Sequence, residues 1–218
     1  RRQAQGIVKI LADLPAVTGI NARVGLWRLV ERAAAPWTLS DDARQAVSAF
    51  LRERVLHLFE QRGFDLRTIR AVVQEDLSRL DVLEARKTLD ALTQMTGSDA
   101  LLGVAALLKR VKNITKGVAA PPSLEAVRRA LREPAEQALA SELDARAGVI
   151  RAAADRGDYR EAFTAIAALQ PAVAKFFDDV LVMAEEPALR DARLGLVASL
   201  RDLILGIADI SEIVTDSQ

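Results

Sequence analysis

Four polar side chains recur at helical spacing within one short stretch: Lys109, Lys112, Asn113 and Lys116. At about 100° per residue they fall on one face of a helix, and Val104, Leu107, Leu108, Val111 and Ile114 fall roughly opposite. Arg110 sits at the edge between the two. A face with three ammonium groups, a carboxamide and no acid can neutralise phosphates and offer its amide to a sugar or a base edge. The same clustering arises when cations simply gather at the negative end of a helix dipole. A second set, Arg190, Arg193 and Arg201, lines up beside a stripe of Leu189, Leu196, Leu200, Leu203 and Ile207. These guanidiniums can hold phosphate or pair with Asp191, Asp202 or Glu186, and spacing alone leaves both open.

Little else in the chain can do chemistry. There is no Cys, and His57 is the single histidine. Disulfides, thiolate nucleophiles, zinc sites of the Cys/His kind and triads with a partnered His are thereby excluded. His57 lies in Val55-Leu56-His57-Leu58-Phe59, in a helix expected to be buried, and reads as a core or boundary residue. The neighbouring acids Asp178 and Asp179, and Glu185 and Glu186, diverge by about 100° on a helix and cannot face one another as an acid–base pair. No glycine pattern of the phosphate-loop or dinucleotide type occurs. No catalytic residue, metal site or cofactor is therefore expected in this chain.

Thirty Lys and Arg balance thirty Asp and Glu. Dedicated nucleic-acid binders usually carry a positive surplus, so any such contact has to come from a local patch. No run approaches the ~18 to 20 apolar residues of a bilayer-spanning helix, and no signal peptide is visible. A cytoplasmic setting without membrane or DNA partners is the expectation.

The elements that must position these residues are helices. Half of the 218 residues are hydrophobic but only 4% are aromatic, so the core rests on Leu, Ala, Val and Ile. Ala and Leu favour helix, and no strand-period alternation appears. Turn signals cut the chain into about ten helices: Arg2 to Leu14, Asn21 to Ala34, a long one capped by Ser40 and stopped at Gly63, and a short one capped by Asp65. Others follow from Asp81 to Met95, Asp99 to Lys116, Ser123 to Arg132, Pro134 to Arg156, Asp158 to Leu169, on to Met183, and Pro187 to Gly206. The predicted fold is all-α, two tandem helical bundles covering 1–78 and 79–218, with the seam between Glu75 and Asp81. Trp27 and Trp37 are expected to anchor the first core. Helical periodicity already runs at Arg1-Arg2-Gln3, so a fragment of a longer protein is expected.

Particular strings go further. Ala172-Val173-Ala174-Lys175-Phe176-Phe177-Asp178-Asp179-Val180-Leu181-Val182-Met183, followed by Leu189-Arg190-Asp191-Ala192-Arg193-Leu194-Gly195-Leu196, resembles the C-terminal end of bacterial glycyl-tRNA synthetase β subunits. Leu200-Arg201-Asp202-Leu203 and Ala208-Asp209-Ile210-Ser211 are similar to the same ending. Lys109-Arg110-Val111-Lys112-Asn113-Ile114, Arg62-Gly63-Phe64 and the opening Arg1 to Leu11 resemble upstream parts of that family, so the likeness covers nearly the whole chain. Two departures are Ala192, where the family often has Asn, and Ile204, where it often has Phe.

The resemblance implies a small helical domain like the body and tail of archaeal CCA-adding enzymes, then a DALR-type anticodon-binding domain. It implies glycine tRNA as partner, with the synthetase α subunit and the rest of the β subunit, in an enzyme that uses ATP and Mg to attach glycine. Matched residue by residue, Lys109, Arg110, Asn113, Arg190 and Arg193 become candidate tRNA contacts. Lys112 joins them from the helical-face argument alone. The competing reading is a helical protein-interaction scaffold that docks through an apolar groove and binds no RNA.

Overall fold

The residues that start and stop helices sort this chain into its elements. A computed structural model describes residues 2–121 and 123–214, whose regular elements are helices, with no strand among them beyond an isolated bridge between Gly25 and Asp81. The chain divides into two compact units, Arg1–Thr93 and Gln94–Gln218. No single helix among the described residues is long and apolar enough to cross a membrane.

The first unit contains α1 (Arg2–Ala12), α2 (Leu14–Thr18), α3 (Leu26–Ala34), α4 (Asp41–Gln61), α5 (Leu66–Val72) and most of α6 (Val82–Met95). Ser40 caps α4 by accepting from the Ala43 N–H at 3.2 Å, and Asp41 and Asp42 follow at the positive end of the dipole. Gly63 ends that helix at φ 85°, a left-handed conformation that a side chain would disfavour. Asp65 then caps α5 through the Arg67 and Thr68 N–H groups.

The core of this unit is Val8, Leu11, Leu26, Leu51, Val55, Leu58, Phe59, Ile69 and Leu89. Asp13 sits at the break between α1 and α2, where its two carboxylate oxygens take Arg62 from the end of α4 and Arg86 from α6, each at 2.6 Å. One acid thus ties three elements together.

Three expectations for this unit change. The helix expected from Asn21 begins only at Leu26. The segment before it is drawn onto Asp81 and Leu80: the Asp81 carboxylate accepts from the Val24 N–H, and the Leu26 N–H donates to the Leu80 carbonyl at 2.8 Å. Trp37 is 70% exposed, and Trp27 is half-buried with its indole N–H on Glu31, so neither is a core anchor. His57 lies on the solvent side of α4, whose inward positions are Leu51, Val55, Leu58 and Phe59.

The second unit holds α7 (Asp99–Ile114), α8 (Glu125–Arg128), α9 (Pro134–Asp155), α10 (Tyr159–Ala167), α11 (Gln170–Asp179), α12 (Pro187–Leu205) and a 3-10 turn at Ile210–Ile213. Ser98 caps α7 through the Leu101 N–H. Gly117 and Gly157 end α7 and α9 with φ of 77° and 75°. Helix α7 packs against α10, α11, α12 and the 3-10 turn, around Leu101, Val104, Leu108, Val111, Phe163, Phe176, Leu196 and Leu200. Gly195 lets α12 lie close to the 121–127 segment: a Cβ there would come within 3.0 Å of Val127 Cγ1 and 3.5 Å of Pro121 Cδ.

Two helices are shorter than expected. Of Ser123 to Arg132 only Glu125–Arg128 is α-helical, because the Arg132 and Glu133 N–H groups are taken by the Glu136 side chain. Helix α11 stops at Asp179 rather than Met183, and Val180 is extended.

Candidate nucleic-acid interface

Burial along α7 separates its two faces. Leu101, Val104, Ala105, Leu108 and Val111 are buried, while Ala106, Arg110 and Asn113 face solvent, as does Lys116 just past the helix end. The exposed stripe shares only Asn113 and Lys116 with the face that the sequence spacing outlines, and Arg110 stands at its centre rather than at its edge. The Arg110 guanidinium lies over the Phe177 ring of α11, 4.3 Å from the centroid. An aromatic face holds the cation without neutralising it, so its charge and N–H donors stay available. Lys109 is half-buried on the flank.

Lys112, expected among the free cations, is held instead. Its ammonium reaches Asp209 Oδ2 at 2.5 Å and Ser211 Oγ at 2.9 Å, so it joins α7 to the 3-10 turn near the chain's end. Arg201 donates to the Thr115 carbonyl at 2.8 Å and to Asp202, and so satisfies an orphan carbonyl at the C-terminus of α7.

On α12 the two candidate arginines part company. Arg190 is half-buried and forms no ion pair among the described residues. Arg193 is 6% exposed and sits against Glu136, which is fully buried, with Nη2 2.8 Å from Oε1. Its Nη1 donates to the Leu181 carbonyl at 2.9 Å. A guanidinium so committed cannot reach a phosphate outside. Its place is structural.

Glu136 was not singled out from the sequence, although a signal was present. It lies three residues after the N-cap Glu133, the spacing of a capping box, and both reciprocal bonds form. Phe177 was noted only as part of a resemblance, and its role as the platform for Arg110 depends on a contact between separate helices.

Two carboxyls that tie separate helices together, Glu136 and Asp13, are held below their ordinary range. For Glu136 the largest single influence is burial, which pushes the pKa up, but hydrogen bonds from Arg193 and the backbone N–H groups of Glu133 and Arg132, with the arginine charge, together outweigh it. For Asp13 the hydrogen bond from Arg62 dominates, burial opposes it, and Arg86 adds to the lowering. Both pKa values are depressed on folding. The stability they contribute is full above the unfolded carboxyl range, about pH 4, and is lost as pH falls through the folded values. Helical circular dichroism should therefore give a flat unfolding midpoint near neutrality and a falling one below about pH 4. Glu136→Gln should remove part of that fall; an unchanged acid limb would contradict the assignment.

No cluster of three or more His, Asp or Glu suited to a metal ion occurs among the described residues. What the second unit offers is a cationic, carboxamide-bearing ridge on a firmly anchored helix.

Comparison with known proteins fits this arrangement. The DALR anticodon binding domain family matches residues 104–213, from within α7 to the final 3-10 turn. The glycine–tRNA ligase β subunit of Dechloromonas aromatica (strain RCB) is 36% identical over 98% of this chain and 29% of its own length. Those of Anaeromyxobacter dehalogenans (strain 2CP-C) and Acidobacterium capsulatum are 34% and 37% identical over 100% and 98% of the chain, and 30% and 31% of their own lengths. The chain thus spans about 30% of the curated relatives it matches. With the family match covering the helices that carry the ridge, the chain belongs to the DALR anticodon-binding domain family.

Proposed function

We propose that this chain is the tRNA-anticodon-binding region of a glycine–tRNA ligase β subunit. The observation that carries the reading is the outer stripe of α7, where Arg110, Asn113 and Lys116 face solvent within the span of the DALR match. Lys109, Arg110 and Lys116 hold phosphates of the anticodon arm, and Asn113 reaches a sugar or base edge. Arg190 supplies a further guanidinium from α12. Lys112 and Arg193 act from behind, by fixing the helices that present the others. Loop bases, unstacked from their helix, are read by stacking and edge hydrogen bonds.

In the whole enzyme, glycine activation with ATP and Mg would belong to other parts of the assembly, including an α subunit and the rest of the β subunit. This region's task is to grip the tRNA, and its compartment is the cytoplasm, where translation takes place. The neutral net charge supports a local patch rather than a general nucleic-acid surface, which suits a partner of fixed shape.

The test is a titration of the chain with glycine tRNA and with the same tRNA altered only in its anticodon. A hydrogen bond to a charged group contributes about 1.5 to 3 kcal/mol, so the altered tRNA should bind about tenfold or more weakly. Affinity should fall steeply with salt. Arg110→Ala with Lys116→Ala should lower the slope of log affinity against log salt by about 1 to 2. Equal binding of both tRNAs, with an unchanged slope in the variant, would overturn the reading.

A further inference from the structure

Among the described residues of the ridge, only Arg110 rests on an aromatic ring. Its guanidinium lies 4.3 Å from the centroid of Phe177 on α11, yet the residue is exposed and forms no ion pair among the described residues. The ring beneath it is held from behind. Phe177 is 7% exposed and meets the fully buried Phe176 at 5.3 Å between centroids and 73° between planes, so the core of the second unit fixes its orientation. The two acids that follow on α11 have a counter-ion of their own. Asp179 accepts from the Lys175 ammonium at 2.7 Å. That bond and the charge of Asp179 raise the Lys175 pKa, burial opposes, and the charge of Asp178 adds to the rise, so Lys175 offsets both acids. One turn before Arg110 stands Ala106, exposed and too short to cover a guanidinium. The cation therefore has a fixed floor, an uncancelled charge and an open outer side.

We infer that Phe177 is a positioning residue for tRNA binding: it holds the Arg110 guanidinium in place to take one phosphate of the bound RNA through two parallel N–H bonds. The inference rests on the tRNA-binding reading and deepens it. A guanidinium carries its N–H donors in one plane, and a phosphate accepts two of them side by side. A ring attracts the cation by its face and leaves those donors for an oxygen acceptor. An arginine free to sweep through solvent gives up rotamer freedom when it docks, whereas one already laid on a ring gives up less. Lys109 and Lys116, as point charges, add attraction without direction. Arg110 is then the contact that sets how the anticodon arm lies on α7, and Phe177 acts only through it.

Titrations of the whole chain with glycine tRNA over a range of salt test this. R110K keeps the charge but loses the fork of donors, so affinity should fall at least about fivefold while the salt slope stays at its parental value. F177L keeps an apolar side chain under Arg110 and loses the ring face. Its affinity should fall about two- to fivefold, again at the parental slope. R110A/F177L should bind as R110A does, because nothing remains to be positioned. Helical circular dichroism and the thermal midpoint report whether each variant folds, and R110K, at an exposed position, decides the matter even if F177L folds poorly. Parental affinity in R110K, or the same loss from F177L with and without Arg110, would overturn the inference while leaving tRNA binding intact. Absence of binding by the unaltered chain would overturn the functional reading, and this inference with it.

Discussion

Arg193→Met alone should destabilise the second unit by about 3 to 5 kcal/mol, the cost typical of removing one partner from a buried ion pair. Glu136 is fully enclosed, and with the arginine gone its charge would keep only the two backbone N–H donors of Arg132 and Glu133. The Leu181 carbonyl would lose its donor in the same step. The burial that now opposes ionisation of Glu136 would then prevail, and its carboxyl should titrate above its ordinary range instead of below. Stability should therefore partly recover on acidification, the reverse of the parent chain. E136Q/R193M should regain much of the loss at neutral pH, because no unpaired charge remains. Urea unfolding of the parent chain and the two variants at two pH values measures this. A single variant losing less than about 1 kcal/mol would mean that water reaches Glu136 and the pair is not a closed one.

The second large effect is expected in the first unit. Phe59→Ala should cost about 3 to 5 kcal/mol. The ring is fully buried among Val8, Leu11, Leu26, Val55 and Ile69, and it meets Phe64 edge to face at 5.9 Å between centroids. A packed core relaxes only partly around such a gap, so the cavity term persists on top of the lost transfer energy. The edge-to-face contact adds about 0.5 to 1.5 kcal/mol. Thermal unfolding followed at Trp27 and Trp37, both in this unit, should show the loss. Trp37→Ser, at a position 70% exposed, should leave the midpoint within about 0.5 kcal/mol and serves as the control.

These effects divide along the line between what a sequence shows and what it hides. Ser40, Asp65 and Ser98 accept from N–H groups two or three residues on, and Gly63, Gly117 and Gly157 take positive φ at helix ends, as their local context alone predicts. The buried positions Val104, Leu108 and Val111 of α7 were legible from the helical period, but its polar face only in part, since Arg110 is exposed and Lys109 and Lys112 are half-buried. Pairings across distance were not. Arg193 meets a carboxylate 57 residues back, and Lys112 one 97 residues ahead. Each could as well have served a phosphate, and only tertiary packing settles the choice. Trp37 was misread for a related reason: an aromatic type suggests burial, but the turn holding it is not enclosed by other elements of its unit.

One of those distant pairings changes how the ridge meets its ligand. The last turn of α7, ordinarily the first part of a helix to fray, is bolted on two sides, by Arg201 on the Thr115 carbonyl and by Lys112 on Asp209 and Ser211. Its outward side chains wait on a scaffold already rigid. Association then forfeits little conformational freedom on the protein's side, and the disorder given up on docking comes chiefly from the nucleic acid.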